Sequence, residues 1–346
     1  MTEPYELTDR KADILRALVR HYIRTGEPVG SESLAGATGL RVSSATIRNE
    51  LASLEELGYL TQPHPSAGRV PTDLAYRRYV DLLPTRTKLR EPERRAIVGF
   101  FDEALADVDA ILRGTTQLLS RLTRYASLAL APSQRETAII RSELIRLGTA
   151  VLLLVVFDTG HVEKRVIESA GELADEDVDR VSRKMTEAFR GKTLSEADAI
   201  ALELERSAES RDRVILTRVA EALSSIGETA ETEHILLGGV ANIAADAGFD
   251  RRETLRQIYE ALERESAVLR LLREAAATPP VSVTIGRENR VPEMWEASLV
   301  AAPFAAGGAL GTIGVVGPMR MDYLSAISAV RAVAERLSAA VEALSH

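Results

Sequence analysis

The run from Arg41 to Arg78, RVSSATIRNELASLEELGYLTQPHPSAGRVPTDLAYRR, constrains this chain more than any other segment. Ser43 is placed to cap a helix that should reach about Leu57 and stop at Gly58. Tyr59 to Gln62 can form a short strand. PHPSAGRVP is a loop by its Pro, Ser and Gly content, and Asp73 to Leu83 returns to helical spacing with Tyr76, Tyr79, Val80 and Leu83 on one side. Upstream, Thr8 is placed to cap a helix reaching about Thr25, and Ser31 a shorter one closed by Gly39. Three helices, then strand, tight loop and return strand, is the order of a helix-turn-helix with a wing. Such a unit lays one helix in the major groove of duplex DNA, with a loop beside it.

On a wheel of about 100° per residue, the third helix carries Ile47, Leu51, Leu54 and Leu57 on one stripe. Opposite lie Ala45, Asn49 and Ala52, flanked by Ser44, Thr46 and Arg48. Small residues there let the backbone enter a groove. Arg48 can bond guanine bidentately, Asn49 can bond adenine, and Ala45 can touch a thymine methyl. The free amides beside Ser43 and Ser44 suit a phosphate. Glu50, Glu55 and Glu56 fall in the C-terminal half, where the helix would leave the groove. An ordinary amphipathic surface helix would share this pattern, and a plain hairpin turn would share that of the loop. Their succession is what points to DNA. In the loop, Arg69 beside Gly68 is expected at the tip, within reach of a phosphate or the minor groove. The candidate DNA-binding set is Ser43, Ser44, Ala45, Thr46, Arg48, Asn49, His64, Ser66, Gly68 and Arg69.

Charge does not announce a nucleic-acid partner. The net charge is −8, and residues 1–85 hold 10 Lys and Arg against 11 Asp and Glu, a net of −1. Affinity must come from local placement of Arg41, Arg48, Arg69, Arg77 and Arg78. With no cysteine there are no disulfides, zinc ribbons or thiol catalysis, which fits a reducing cytoplasm. The histidines at 21, 64, 161, 234 and 346 are scattered, so no metal site is expected. LLGGVAN and the glycines at 307, 308 and 311 match neither a P-loop nor GxGxxG and read as tight turns. There is no GxSxG, so no cofactor and no enzymatic activity are expected. TAVLLLVVF is too short to span a bilayer, and MTEPYELTDRK is not a secretory signal, so no membrane association is expected.

Beyond a polar linker, LPTRTKLREPERR, the spacing predicts one long helix from about Glu93 to Tyr125. Three strands follow in ETAIIRSELIRL, AVLLLVVFDT and HVEKRVIES. Helices are predicted from Leu173 to Ile226 and from Asp250 to Ala276, with a short strand and glycine turn in HILLGGVANIA between them. VSVTIGREN, ASLVAAPFA and GALGTIGVVGP are strands, and Met321 to Leu344 a last helix. Strands on both sides of a helical middle imply either one sheet split by an insertion or two independent domains. The stripe Ile215, Leu216, Val219 and Leu223 is a candidate subunit interface. The first 90 or so residues, being locally connected, are expected to fold on their own.

VSSATIRNELASLEELGYL, QPHPSAGRVPTDLAYRRYVD, IGREN and GTIGVVGPMRMDY together resemble the HrcA family of bacterial heat-inducible transcription repressors, over nearly the whole chain. The resemblance implies an α+β multidomain fold. It would comprise a winged helix-turn-helix domain (1–84), a linker (85–95), and a GAF-like α/β domain in two parts (96–172 and 266–346) split by a helical dimerisation insertion (173–265). It further implies a homodimer on an inverted-repeat operator, CIRCE, upstream of chaperonin and DnaK-type chaperone genes. A GroEL-type chaperonin would maintain its activity, and heat would divert that chaperonin. Pro65 stands where the family pattern has a threonine, and Leu74-Ala75 where it has Lys-Gly. A small-molecule-responsive repressor with a ligand in the GAF-like domain is the alternative. An enzyme fused to a DNA-binding module would need a catalytic constellation that the sequence lacks.

Overall fold

The computed structural model describes residues 7–37, 42–64, 67–84, 89–102, 108–131, 137–148, 150–158, 160–168, 174–230, 235–246, 248–249, 252–276, 280–306 and 309–344. The first six elements are α1 (Asp9–Thr25), α2 (Ser31–Ala37), α3 (Ser44–Glu56), β1 (Leu60–Thr61), β2 (Val70–Pro71) and α4 (Asp73–Asp81). Helix α1 is held by its buried stripe of Ile14, Leu15, Leu18 and Val19; Thr8 sits at its N-cap without a side-chain capping bond. β1 pairs antiparallel with β2, Leu60 opposite Pro71 and Thr61 opposite Val70. Val29 adds a third short strand by exchanging both backbone hydrogen bonds with Arg69, at 2.9 and 3.0 Å. This is a winged helix.

The remainder begins with α5 (Glu91–Asp102) and α6 (Val108–Thr123), both within the span where the sequence predicts one long helix; residues 103–107 lie outside the described residues. β3 (Ala126–Leu130) follows and has no counterpart among the sequence expectations. All five of its residues are buried, so it lacks the alternation that marks a half-buried strand. Next come β4 (Ile139–Leu147), β5 (Ala150–Phe157), β6 (Val162–Glu168), α7 (Asp175–Phe189), α8 (Leu194–Ser207) and α9 (Ser210–Ala230). The chain continues with β7 (Ile235–Gly238), α10 (Ala241–Ala245), α11 (Arg252–Glu263), α12 (Glu265–Ala276), β8 (Ser282–Ile285), β9 (Ala297–Ala306), β10 (Ala309–Pro318) and α13 (Tyr323–Leu344). Short 3₁₀ turns at Gly286–Glu288 and Pro292–Met294 lie between β8 and β9.

Among the described residues, two sheets lie beyond the wing. One is five-stranded and antiparallel throughout, in the order β7-β3-β10-β9-β8. Its residues alternate strictly. Ala129, Val300, Ala302, Phe304 and Ile313 face the core built with α6 and α13, while Leu128, Leu130, Leu299 and Ala301 face α11 and α12. Helices on both faces of an antiparallel sheet give the GAF-like α/β arrangement. LLGGVAN lies where β7 turns into α10, and Asn242 Nδ2 donates to Ser120 Oγ of α6 at 2.9 Å, a packing role for that turn.

The second sheet, β4-β5-β6, is a separate meander. β4–β6 therefore do not join the strands after the helical middle, but β3 does, pairing with β10 and β7, so one sheet is split in sequence by the segment between β3 and β7. β5 buries Val151, Leu153, Val155 and Phe157 against Val178, Val181 and Met185 of α7 and Ile215, Leu216 and Val219 of α9. Strands 139–168 thus pack with α7–α9, whereas β7 and α10–α12 pack with the five-stranded sheet. The inserted unit lies between β3 and β7 and carries β4–β6 beside its helices, which differs from a helical insertion bounded at 173–265. The physical reason lies in β5, whose alternating apolar face needs cover that α7 and α9 supply. The stripe Ile215, Leu216, Val219 and Leu223 is consumed by this internal core and is not a subunit interface.

Nor is the head's core closed on itself. A continuous apolar cluster runs from Ile14, Leu18, Ile47 and Leu54 through Tyr76 to Tyr323 and Val330 of α13. The expectation that the first 90 residues fold alone does not match this shared core.

The helical bundle is pinned by one acid. Asp212 at the start of α9 is only 6% exposed and accepts from Arg180 Nη2 at 2.6 Å and Lys184 Nζ at 2.8 Å. Hydrogen bonds from Arg180, then Lys184, hold its carboxyl down to about 2 from the ordinary 3.8. A depressed carboxylate stabilises the fold fully above its unfolded value, and that contribution fades as pH falls through the folded one. Asp212→Asn is therefore expected to cost about 1–2 kcal/mol at neutral pH. In a pH series of thermal melts the variant should approach the wild type as pH drops from about 4 to 2. Parallel curves throughout that window would show that Asp212 does not carry the acid dependence.

Candidate DNA interface

Helix α3 begins as its sequence dictates. Ser43 Oγ accepts from Thr46 N at 3.2 Å, and the two hydroxyls lie 2.9 Å apart. Those hydroxyls are thus engaged with each other at the helix start, while the amides of the first turn point outward. Ile47, Leu51 and Leu54 are buried, and Ser44, Ala45, Arg48 and Asn49 are exposed on the opposite side. Arg48 and Asn49 make no side-chain hydrogen bond or ion pair among the described residues. A base edge would find them unencumbered.

The acids of this helix are placed differently from what a wheel shows. Glu50 turns towards α1, with Arg10 Nε at 3.3 Å and Lys11 Nζ at 4.0 Å. Glu55 accepts from Arg69 Nε at 2.9 Å. Exposed ion pairs of this kind stabilise little. Their effect here is electrostatic shielding: two carboxylates that would repel phosphate are each matched by a cation. Fourteen residues separate Glu55 from Arg69, so no local spacing signals the pair.

That same contact relocates Arg69. Its side chain is 20% exposed and braces the wing against α3, and its backbone pairs with Val29, so it lies at the base of the return strand, not at the tip. Gly68 is required by close approach. A Cβ there would lie 2.5 Å from the Val29 carbonyl carbon and 2.7 Å from that of Pro28. His64 is exposed in the loop, and its carbonyl accepts from Ala67 N at 2.8 Å. Gln62 Nε2 donates to Ala67 O at 2.8 Å and ties the two sides of the wing. Ser66, with Pro65 and Arg41, lies outside the described residues. Arg77 points away from the wing to Glu288, so it is not one of the cations that face DNA. The structure thus groups Ser44, Ala45, Arg48 and Asn49 on one open face, with His64 in the neighbouring loop and Gly68 and Arg69 supporting it.

Residues 6–81 match the family model described as the winged helix-turn-helix transcription repressor, HrcA DNA-binding, and residues 109–327 match the HrcA protein C terminal domain. The chain belongs to the HrcA family. Relatives named heat-inducible transcription repressor HrcA include those of Frankia casuarinae (42% identical over 332 residues, 95% of this chain and 97% of its own) and Thermobifida fusca (42% over 330 residues, 95% of each). The Nocardia farcinica protein is 41% identical over 329 residues, 94% of each chain. A crystal structure of a hypothetical protein matches with a TM-score of 0.70 at 25% identity, covering 98% of this chain and 100% of its own. HrcA proteins are transcription repressors, not enzymes, and duplex DNA is the partner that the winged helix implies. No helix among the described residues is long and apolar enough to cross a membrane.

Arg48 is the sharpest test of the interface. Arg48→Ala should weaken operator binding by about 1–3 kcal/mol and relax preference at one base pair, where a lost phosphate contact would weaken all sequences alike. Binding to a panel of single-base operator variants reads both effects. Unchanged affinity and unchanged preference would mean that α3 is not the reading helix.

Proposed function

We propose that this chain is a homodimeric, cytoplasmic repressor of heat-shock genes that binds an inverted-repeat CIRCE operator upstream of chaperonin and DnaK-type chaperone genes. A GroEL-type chaperonin maintains its active form. The observation that carries the reading is the open face of α3, with Arg48 and Asn49 free and Glu50 and Glu55 neutralised, on a chain of the HrcA family. In this reading Ser44, Ala45, Arg48 and Asn49 read or approach base edges. The amides at Ser43 meet a phosphate, and His64 and Ser66 follow the backbone beside the groove.

Dimerisation follows from the shortage of free cations. With Arg69 committed to Glu55 and Arg77 to Glu288, one head offers few phosphate contacts, and phosphate contacts dominate affinity. Two heads on one body regain affinity through effective concentration. The surface that fits is the outer face of β4-β5-β6. There Ile145, Leu147, Val162 and Val166 are exposed, Val166 to 63%, with Leu152 and Val156 between them. Glu143 and Lys164 share that face on either side of Leu154, so the face carries both signs of charge and can meet its own copy across a two-fold axis. Val166→Glu should leave the thermal midpoint nearly unchanged and yield monomers in sedimentation. Affinity for the full operator should fall by about 100-fold or more, with half-site binding intact. A variant that stays dimeric would remove this face from consideration.

The chaperonin dependence rests on topology. Interior strand β3 pairs Ala129 with Ile313 of β10 and Leu128 with Leu237 of β7, partners that arrive only after the long intervening chain has been ordered. Closing such loops costs entropy, and the unpaired apolar strand is exposed meanwhile. Refolding of the full chain from denaturant, with operator binding as the readout, should give a higher active yield with chaperonin and ATP. Complete, rapid recovery without chaperonin at heat-shock temperature would count decisively against this control.

A further inference from the structure

IGREN joins the winged helix to the rest of the chain by polar contacts, and every member of that motif has a task. Gly286, at φ +52°, accepts the Asp73 carboxylate where a side chain would stand: a Cβ there would lie 2.5 Å from Asp73 Oδ2 and 2.8 Å from Met319 Sδ. Arg287 N donates to Asp73 Oδ2 at 3.1 Å. Glu288 receives Arg77 with both oxygens, Nε to Oε1 at 2.7 Å and Nη2 to Oε2, and Arg77 Nη2 also donates to Val283 O at 2.6 Å. Asn289 is buried. Its Nδ2 donates to the carbonyls of Gly286, Met294 and Ala297 at 2.9–3.1 Å, and its Oδ1 accepts from Thr284 Oγ1 at 2.8 Å. Ile285 is fully buried. The turn is therefore an outgrowth of the five-stranded sheet that grips α4 at Asp73 and, one helical turn later, at Arg77.

Beside it, Tyr76 of α4 meets Tyr323 of α13, ring centroids 6.0 Å apart. The Tyr323 hydroxyl donates to Met319 O at 2.6 Å, which leaves Ser298 Oγ, 2.7 Å away, to donate to it. Apolar contact of this kind supplies adhesion without direction. A bidentate guanidinium–carboxylate pair supplies direction, because its two parallel bonds tolerate little rotation. Arg77 and Glu288 are both part exposed, so their stabilising contribution is small and their geometric one is the larger.

We propose that Asp73, Arg77 and Glu288 are positioning residues. They fix the angle at which each winged helix leaves the five-stranded sheet, and so select the half-site spacing that a dimer accepts. The inference rests on the dimeric reading above. In a two-fold dimer the recognition helices must lie about one DNA turn, or a multiple of it, apart. α4 follows the wing directly, so a tilt at this joint moves α3 bodily. A loose joint would let two heads meet many spacings, each with less preorganisation; a stiff one admits few.

The test uses the full-length protein and operators whose half-site spacing is changed by one or two base pairs. Wild type should lose about tenfold or more in affinity at altered spacings. Arg77→Ala and Glu288→Gln should bind an isolated half-site as wild type does and remain dimeric, yet respond to spacing by no more than about threefold, with weaker binding at the native spacing. Glu288→Gln retains an acceptor for Ile285 N, to which Glu288 bonds at 2.9 Å. Should Arg77→Ala fail to fold, Arg77→Lys keeps the charge and loses the bidentate geometry, and should flatten the profile likewise. Steep spacing profiles in the variants, matching wild type, would overturn the joint. A wild type indifferent to spacing would overturn the dimeric reading, and the joint with it.

Discussion

Helix α13 is the surface on which the rest of the molecule is assembled. It lies on β9 and β10, meets α5 and α6 along its length, and at its first residue presents Tyr323 to the head. Aromatics are few in the chain, and two of them, Tyr76 and Tyr323, meet between the reading head and the body. Loss of order in α13 would therefore be felt at α4 and, through the wing, at α3. A head that shares its core with the body is placed only as well as the body is folded.

An acidic chain that binds a polyanion must manage its own charge. Here the management is local. Two acids on the reading helix are matched by a cation from a neighbouring element, α1 for Glu50 and the wing for Glu55, while Glu56 lies exposed at the helix end. The cations so used are withdrawn from the phosphate contacts that a residue count would assign to them. Net charge is consequently a poor guide to this interface: what matters is which side chains are left unpaired on one face of α3.

Much of this was legible in the sequence. Helix and wing announce themselves because caps, glycines and apolar spacing act within a few residues, and Ser43 and Gly58 sit where the chain enters and leaves α3. The exposed set Ser44, Ala45, Arg48 and Asn49 follows from the same periodicity. Arg69 was misplaced because its partners, Val29 and Glu55, are set by tertiary pairing that loop composition does not encode. β3 was missed because a strand buried on both faces has no alternation to detect. The stripe on α9 was rightly seen as apolar and wrongly assigned an occupant: periodicity says that a face is covered, not by what.

The path of the chain between β3 and β7 has an evolutionary and engineering consequence. The chain leaves the large sheet at Leu130 and returns at Ile235, and those two residues lie directly opposite each other on adjacent antiparallel strands. Everything between them, β4–β6 and α7–α9 with their own core, hangs from what is topologically a single hairpin loop. A module so attached can be lengthened, exchanged or trimmed to a short turn while the strands on either side keep their register. The fold therefore separates two kinds of heritable change: variation can accumulate in the appendage, while the sheet, α13 and the reading head stay under independent constraint.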